Sequence, residues 1–79
     1  MNDLRLKLEA FNIEWDGPMI ILTNDRVTIL SPFQIIDRIT SVSSSVQRNI
    51  YSTLCNIKTR RQMILILENI ARNLLAIRC

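Results

Sequence analysis

The stretch MIILTNDRVTIL, residues 19–30, decides the fold class of this chain. It consists of two apolar runs, rich in β-branched side chains, on either side of the polar sequence Thr23-Asn24-Asp25-Arg26. Asn and Asp tolerate a left-handed backbone and suit a tight reversal of direction. The pattern therefore predicts a β-hairpin with strands at residues 19–22 and 27–30. Because a lone hairpin is barely stable in water, it must pack on helices or pair its edge with another copy.

The segment before the hairpin predicts a short amphipathic helix. Apolar side chains recur there at spacings of three and four, after Asn2 or Asp3 as a possible N-cap. The sequence Asp16-Gly17-Pro18 ends this helix, because the only glycine of the chain is followed by a proline that disfavours helical geometry in the residue before it. The apolar positions of this helix are Leu4, Leu8, Phe11 and Trp15.

The segment after the hairpin begins with a helix-start signal, a hydroxyl residue at Ser31 followed by Pro32. From there to Ile57 apolar residues follow one another at intervals of three or four, within a stripe about 100° wide. This pattern predicts an amphipathic helix over residues 32–57. Poor helix formers interrupt the pattern at residues 40–45. The sequence leaves two alternatives open, one uninterrupted helix or a chain that turns near residues 41–43.

A last amphipathic helix is predicted over residues 59–77, and its apolar arc covers nearly half of the circumference. A single neighbour is too narrow to cover such an arc. The apolar residues of its centre alternate in steps of four and three, as in a heptad seam. We expect this seam to join two chains or to bind another protein. It consists of Met63, Leu67, Ile70, Leu74 and Ile77.

Length and composition favour one small domain that associates with itself. The chain has 79 residues, of which 48% are apolar. A chain of this length buries only about 60–65% of the surface of its unfolded form, and self-association would cover the remaining apolar surface. The patterns together predict a single domain over residues 1–79. Its fold is α+β and mainly α, and it is homodimeric.

The residue inventory argues against several other classes. There is no histidine and there are two cysteines, so the sequence predicts no metal site, no cofactor and at most one disulfide. Neither a nucleophile with its base nor a glycine-rich phosphate loop is present, and we expect a non-enzymatic protein. We take Cys55 for a small core or interface residue. Without a signal peptide, we expect a reducing intracellular compartment, cytoplasmic or nuclear (or nucleoid).

The apolar run of the last helix raises the question of a membrane. Polar and charged residues interrupt this run after Leu67, so the sequence predicts no membrane span. A cationic amphipathic helix can also lie on a membrane surface, but such helices are usually flanked by lysines and aromatic residues. None follows Lys58 here. We therefore favour packing of this helix in a core or an interface.

Charge is distributed unevenly along the chain. Residues 1–40 carry four basic and six acidic residues, and residues 41–79 carry six basic residues and one acidic residue. The two halves thus have net charges of −2 and +5. Such a basic half can attract phosphates. The alternative is that its arginines and lysines only solvate the outer faces of two helices.

The sequence PFQIIDRITSVSSSVQRNIYSTL, residues 32–54, resembles the helix-turn-helix family of DNA-binding modules. Ile35, Ile36 and Ile39 match the first helix of that family, Ser41 the small turn residue, and Val42-Ser43 the turn and cap. Residues 44–54 then match the recognition helix. The resemblance implies that this helix enters the major groove, where Gln and Arg side chains read base edges and hydroxyl groups hold phosphates.

We therefore expect a small basic homodimer that binds nucleic acid, either DNA or RNA. Two long basic helices can also contact a duplex backbone without any turn. The alternatives are a small protein-interaction factor of viral or mobile-element type, acting as an inhibitor or adaptor, and a structural subunit of a larger assembly. An interaction factor would use the last helix or the hairpin edge. The candidate nucleic-acid-binding residues are Ser44, Ser45, Gln47, Arg48, Tyr51, Lys58, Arg60, Arg61 and Arg72.

Overall fold

The hairpin predicted at residues 19–30 is confirmed by the computed structural model, which describes residues 2–76. The fold is α+β and mainly helical, as predicted, and one cluster of buried side chains joins its elements. The elements in chain order are α1 (Asn2–Ala10), β1 (Met19–Leu22), β2 (Val27–Leu30), α2 (Pro32–Ile39), α3 (Ser44–Asn56) and α4 (Arg60–Ala76).

The first helix, α1, is shorter than its apolar spacing suggests and stops before Phe11. Asn12 has a left-handed backbone with φ of 62°, and its N–H donates to the carbonyl of Glu9 at 2.9 Å. The N–H of Ile13 donates to the carbonyl of Leu8, also at 2.9 Å. These two bonds form a Schellman motif, in which Asn replaces the usual glycine. Both Leu8 and Ile13 are buried, so an apolar contact accompanies the motif.

A tight loop connects α1 to the hairpin. The N–H of Gly17 donates to the carbonyl of Glu14 at 3.2 Å, and a Cβ atom at Gly17 would lie 2.8 Å from the Cβ of Glu14. This close approach explains the only glycine of the chain. The loop is attached to α2, because the N–H of Phe33 donates to the carbonyl of Trp15 at 3.0 Å and the two rings pack at 5.8 Å.

The two strands are antiparallel, with Met19 opposite Leu30 and Leu22 opposite Val27. The N–H of Thr23 donates to the carbonyl of Arg26 at 3.0 Å, which makes these residues a hydrogen-bonded pair. Because such pairs alternate along an antiparallel ladder, the carbonyl of Leu22 points away from β2. That carbonyl accepts a hydrogen bond from Nε of Arg72 on α4, at 2.8 Å. The hairpin is thus fixed to α4 along the edge of β1.

Helix α2 begins with a complete capping box, which the Ser31-Pro32 signal predicts only in part. The hydroxyl of Ser31 accepts the N–H of Gln34 at 3.2 Å, and the side chain of Gln34 accepts the N–H of Ser31 at 2.9 Å. Two orphan donors of the first turn are thereby satisfied. The apolar face of α2 is fully buried and packs on α4; its residues are Ile35, Ile36 and Ile39.

The chain turns between Ile39 and Ser44, so the alternative of one uninterrupted helix over residues 32–57 is wrong. The hydroxyls of Thr40 and Ser41 donate to the carbonyls three residues earlier, at 2.6 and 2.7 Å. The side-chain amide of Gln47 donates to the carbonyls of Thr40 (3.3 Å) and Val42 (2.9 Å). Side chains thus satisfy carbonyls that a continuing helix would have used, and the helix ends there.

The last helix, α4, starts after Thr59, whose hydroxyl accepts the N–H of Gln62 at 3.1 Å. It packs on α2 and β1. Met63, Leu67 and Ala71 are fully buried in the core of the single chain. In the described part of the chain, no helix is both long and apolar enough to cross a membrane.

Candidate nucleic-acid interface

Helix α3 has an exposed polar side, and few of its residues are buried. Its only fully buried residue is Leu54, and the helix packs on α1. Nζ of Lys7 donates to the carbonyl of Cys55, so a cation of α1 holds the C-terminal end of α3, where the helix dipole favours positive charge. The side opposite Leu54 carries small hydrogen-bonding residues, all exposed: Ser45, Asn49, Ser52 and Asn56.

This surface lies in a part of the chain that contains no acidic residue. From Arg38 to Leu67 the sequence has no Asp or Glu, although it has five basic residues. All five basic side chains are exposed. The ion pairs within residues 2–76 join Arg5 to Glu9 and Arg72 to Glu68, so none of the five is neutralised by an ion pair. These free cations are Arg38, Arg48, Lys58, Arg60 and Arg61.

The free cations lie before, on and after α3 along the chain. Arg38 lies at the end of α2, just before the turn that leads into α3, and Arg48 lies in the first half of α3. Lys58, Arg60 and Arg61 follow its C-terminal end. With 13 residues, α3 is about 20 Å long. Because duplex DNA carries one negative charge per about 1.7 Å of its axis, cations distributed over this length can meet several phosphates at once.

Three of the free cations are placed at an electrostatically unfavourable position for the isolated chain. Lys58, Arg60 and Arg61 lie at the N-terminal end of α4, where the helix dipole is itself positive. Arg60 lines a depression together with Glu14 and Glu68. A bound anion would relieve the repulsion among the three cations.

The structure separates the predicted nucleic-acid-binding residues into two groups. Six of the predicted residues are exposed, as contact residues must be. On α3 these are Ser44, Ser45 and Arg48, and after α3 they are Lys58, Arg60 and Arg61. Gln47 is half-buried and holds the turn, and Tyr51 is half-buried as well. Arg72 is bonded to Leu22, to Oδ1 of Asn69 at 2.8 Å and to Glu68 at 3.9 Å. Gln47 and Arg72 therefore stabilise the fold.

Four exposed residues of this surface were not among the sequence-based candidates: Arg38, Asn49, Ser52 and Asn56. The three α3 residues follow Ser45 at helical spacing, opposite the position of Leu54, and that spacing is a signal in the sequence. Arg38 shows no such signal. It lies on α2 just before the turn, which the sequence leaves open.

The predicted interface seam on α4 needs correction. Met63 and Leu67 are sealed inside the single chain, so no second chain can reach them in this fold. Ile70 and Leu74 are half-buried against the same core. Ile77 lies outside the described residues. At least the first half of the seam therefore faces the core. A partner would have to bind another surface.

Other site chemistry is not assembled in the described part of the chain. Cys55, expected in a core or an interface, is exposed on α3. Within residues 2–76, no group of three or more His, Cys, Asp or Glu side chains is arranged to hold a metal ion.

Comparisons with known proteins give no functional assignment for this chain. No protein-family model matches the chain, and no similar curated protein or solved structure was found.

Proposed function

We propose that this chain is a non-enzymatic nucleic-acid-binding protein that contacts the phosphate backbone with α3 and the connection from α3 to α4. The observation that carries the proposal is the run of 30 residues from Arg38 to Leu67, which holds five exposed basic side chains and no acidic one. A solvated helix surface ordinarily mixes both signs of charge. A stretch of chain with exposed cations outside ion pairs and no acidic residue fits a polyanion.

Backbone contacts give such binding two measurable properties. The affinity depends steeply on salt, and the sequence of the nucleic acid has little effect on it. The amide and hydroxyl groups on the outer face of α3 can add contacts to sugars, phosphates or base edges, as the resemblance to helix-turn-helix modules implies. The function would place the chain in the cytoplasm, nucleus or nucleoid, on DNA or RNA.

The test uses fluorescence polarisation with a labelled duplex of about 20 base pairs, as DNA and as RNA, between about 50 and 200 mM salt. The double variant Lys58→Gln/Arg61→Gln should weaken binding and reduce the slope of log K against log salt by about 2, because each phosphate contact contributes about 0.9. Arg26→Gln is the matched control, since it removes an exposed cation from the hairpin turn. A wild-type Kd above about 100 μM at the lowest salt would exclude the proposal.

A second candidate function, a protein-interaction factor of inhibitor or adaptor type, is supported by a different surface. The outer face of the hairpin exposes four apolar side chains. If this face binds a second copy of the chain, it is not available to an unrelated protein, and the second candidate loses its support. The same holds for a structural subunit of a larger assembly.

A further inference from the structure

The hairpin has two apolar faces, and only one of them is used in the single chain. On the inner face, Ile21 and Leu30 are buried against the core. Met19 lies on the inner side opposite Leu30, and the outer face is made of the other four apolar positions of the strands. Antiparallel hairpins with one face in water usually carry polar residues on that face. The outer face here has none: Ile20 is 60% exposed, Leu22 56%, Val27 63% and Ile29 62%.

The four side chains form one block. Ile20 lies opposite Ile29, and Leu22 lies opposite Val27. Cross-strand neighbours of this kind have Cβ atoms about 5 Å apart, and successive positions on one face of a strand lie about 7 Å apart. The block is therefore a continuous apolar patch with no charged residue within it. We call it the hairpin patch.

Four aliphatic side chains exposed to this degree make up a patch of a few hundred Å², a size that marks interaction sites on soluble proteins.

We propose that the hairpin patch is a self-association surface, on which two copies of the chain stack their hairpins face to face. Stacked sheets lie about 10 Å apart, so the side chains of both patches fill the space between them. Contributions of a few hundred Å² from each copy keep the buried total below about 1,000 Å², the lower limit of a specific interface. The expected dimer is therefore weak, with association in the micromolar range.

The chemistry of the patch favours a second copy over another occupant. A two-fold interface requires one surface to complement itself, and a uniform block of similar aliphatic side chains does so in any orientation. The patch carries no charge, whereas four of the five free cations, Arg38, Arg48, Lys58 and Arg61, belong to the α2, α3 and α4 surface described above. The fifth, Arg60, lines a depression next to Ile20 together with Glu14 and Glu68 and is not part of the patch. None of the four side chains that stacking buries is charged.

Stacking also explains the patch better than strand addition does. The backbone groups of Val27 and Ile29 point away from β1 and are open to another strand. Pairing two chains at this edge would join their outer faces into one wider apolar sheet that still faces water. Face-to-face stacking covers the same side chains instead. The inference does not depend on nucleic-acid binding.

The test is sedimentation equilibrium of the full chain, freed of nucleic acid, from about 1 to 300 μM, a range that spans micromolar association. The wild-type mass should rise from 9.2 kDa towards twice that value. Ile20→Thr/Ile29→Thr keeps β-forming residues at exposed positions, so the hairpin should persist by circular dichroism while association weakens at least about tenfold. Leu65→Thr, which changes an exposed leucine of α4, is the control and should associate like the wild type.

Four results would overturn the inference. The wild type could stay at 9.2 kDa at the highest concentration, or the double variant could associate like the wild type. A wild-type chain that is monomeric but binds phosphatidylcholine vesicles through the hairpin patch would show a lipid surface as the occupant. Protection of the Val27 and Ile29 amides from hydrogen exchange in the dimer would show strand addition instead of stacking.

Discussion

Replacing Leu67 by alanine tests whether the α4 seam belongs to the core of the single chain and not to an interface. Leu67 is 0% exposed and Leu65, two residues away on the same helix, is 52% exposed. A Leu→Ala change in a core costs about 2–5 kcal/mol of the free energy of unfolding. The same change at Leu65 removes a side chain that is half in water and should cost about 1 kcal/mol or less.

The measurement is urea unfolding at low micromolar protein concentration, monitored by circular dichroism and by the fluorescence of Trp15, the only tryptophan. A slope of about 1 kcal/mol per molar urea converts a loss of 3 kcal/mol into a midpoint about 3 M lower. A chain of 79 residues has a total stability of about 4–12 kcal/mol, so a loss of 3 kcal/mol removes between about a quarter and three quarters of it. Equal midpoint shifts for Leu67→Ala and Leu65→Ala would refute the core position of Leu67.

Three further predictions concern local structure. Gly17→Ala should lower the free energy of unfolding by about 1–3 kcal/mol, because its Cβ would lie 2.8 Å from the Cβ of Glu14; an unchanged thermal midpoint would show that the loop adjusts freely. Ser31→Ala should lower the free energy of unfolding, measured in urea, by about 1 kcal/mol. The control Ser43→Ala should lower it clearly less, because the Ser43 hydroxyl makes no capping bond. Equal losses for the two variants would contradict the capping box. The hydrogen bond from Thr23, together with the backbone amide and Arg26, lowers the pKa of Asp25 below its ordinary value of 3.8. The resulting stabilisation is therefore present above pH 3.8 and is lost as the pH falls through the folded-state pKa. Thr23→Ala should raise this pKa in an NMR titration of the Asp25 carboxyl, and an unchanged titration would refute the role of Thr23.

Local signals made the hairpin and the start of α2 predictable, whereas Asn2 and Asp3, expected as N-cap residues, both lie inside α1. Two β-branched runs around an Asn-Asp turn specify strands without help from distant residues, and both strands have their predicted bounds. The break between α2 and α3 was harder to predict. It depends on hydroxyl groups at Thr40 and Ser41 that compete with the helix for carbonyls.

The candidate site was only partly predictable, because periodicity shows which face of a helix is buried but not what covers it. The seam on α4 has the spacing of an interface, yet α2 and β1 of the same chain cover it. Arg72 resembles a phosphate ligand in the sequence, but its partner is the carbonyl of Leu22, fifty residues earlier. The hairpin patch follows from the register, since alternation places the remaining four aliphatic residues together on the opposite side.

The bond between Arg72 and Leu22 opposes the pairing of another strand along the β1 edge. A two-stranded sheet has two edges, and filament growth by strand pairing needs both of them. The guanidinium of Arg72 occupies one of the outward carbonyls on β1, so a strand that pairs along β1 has to displace it. Loss of the Arg72 side chain should therefore favour fibrils.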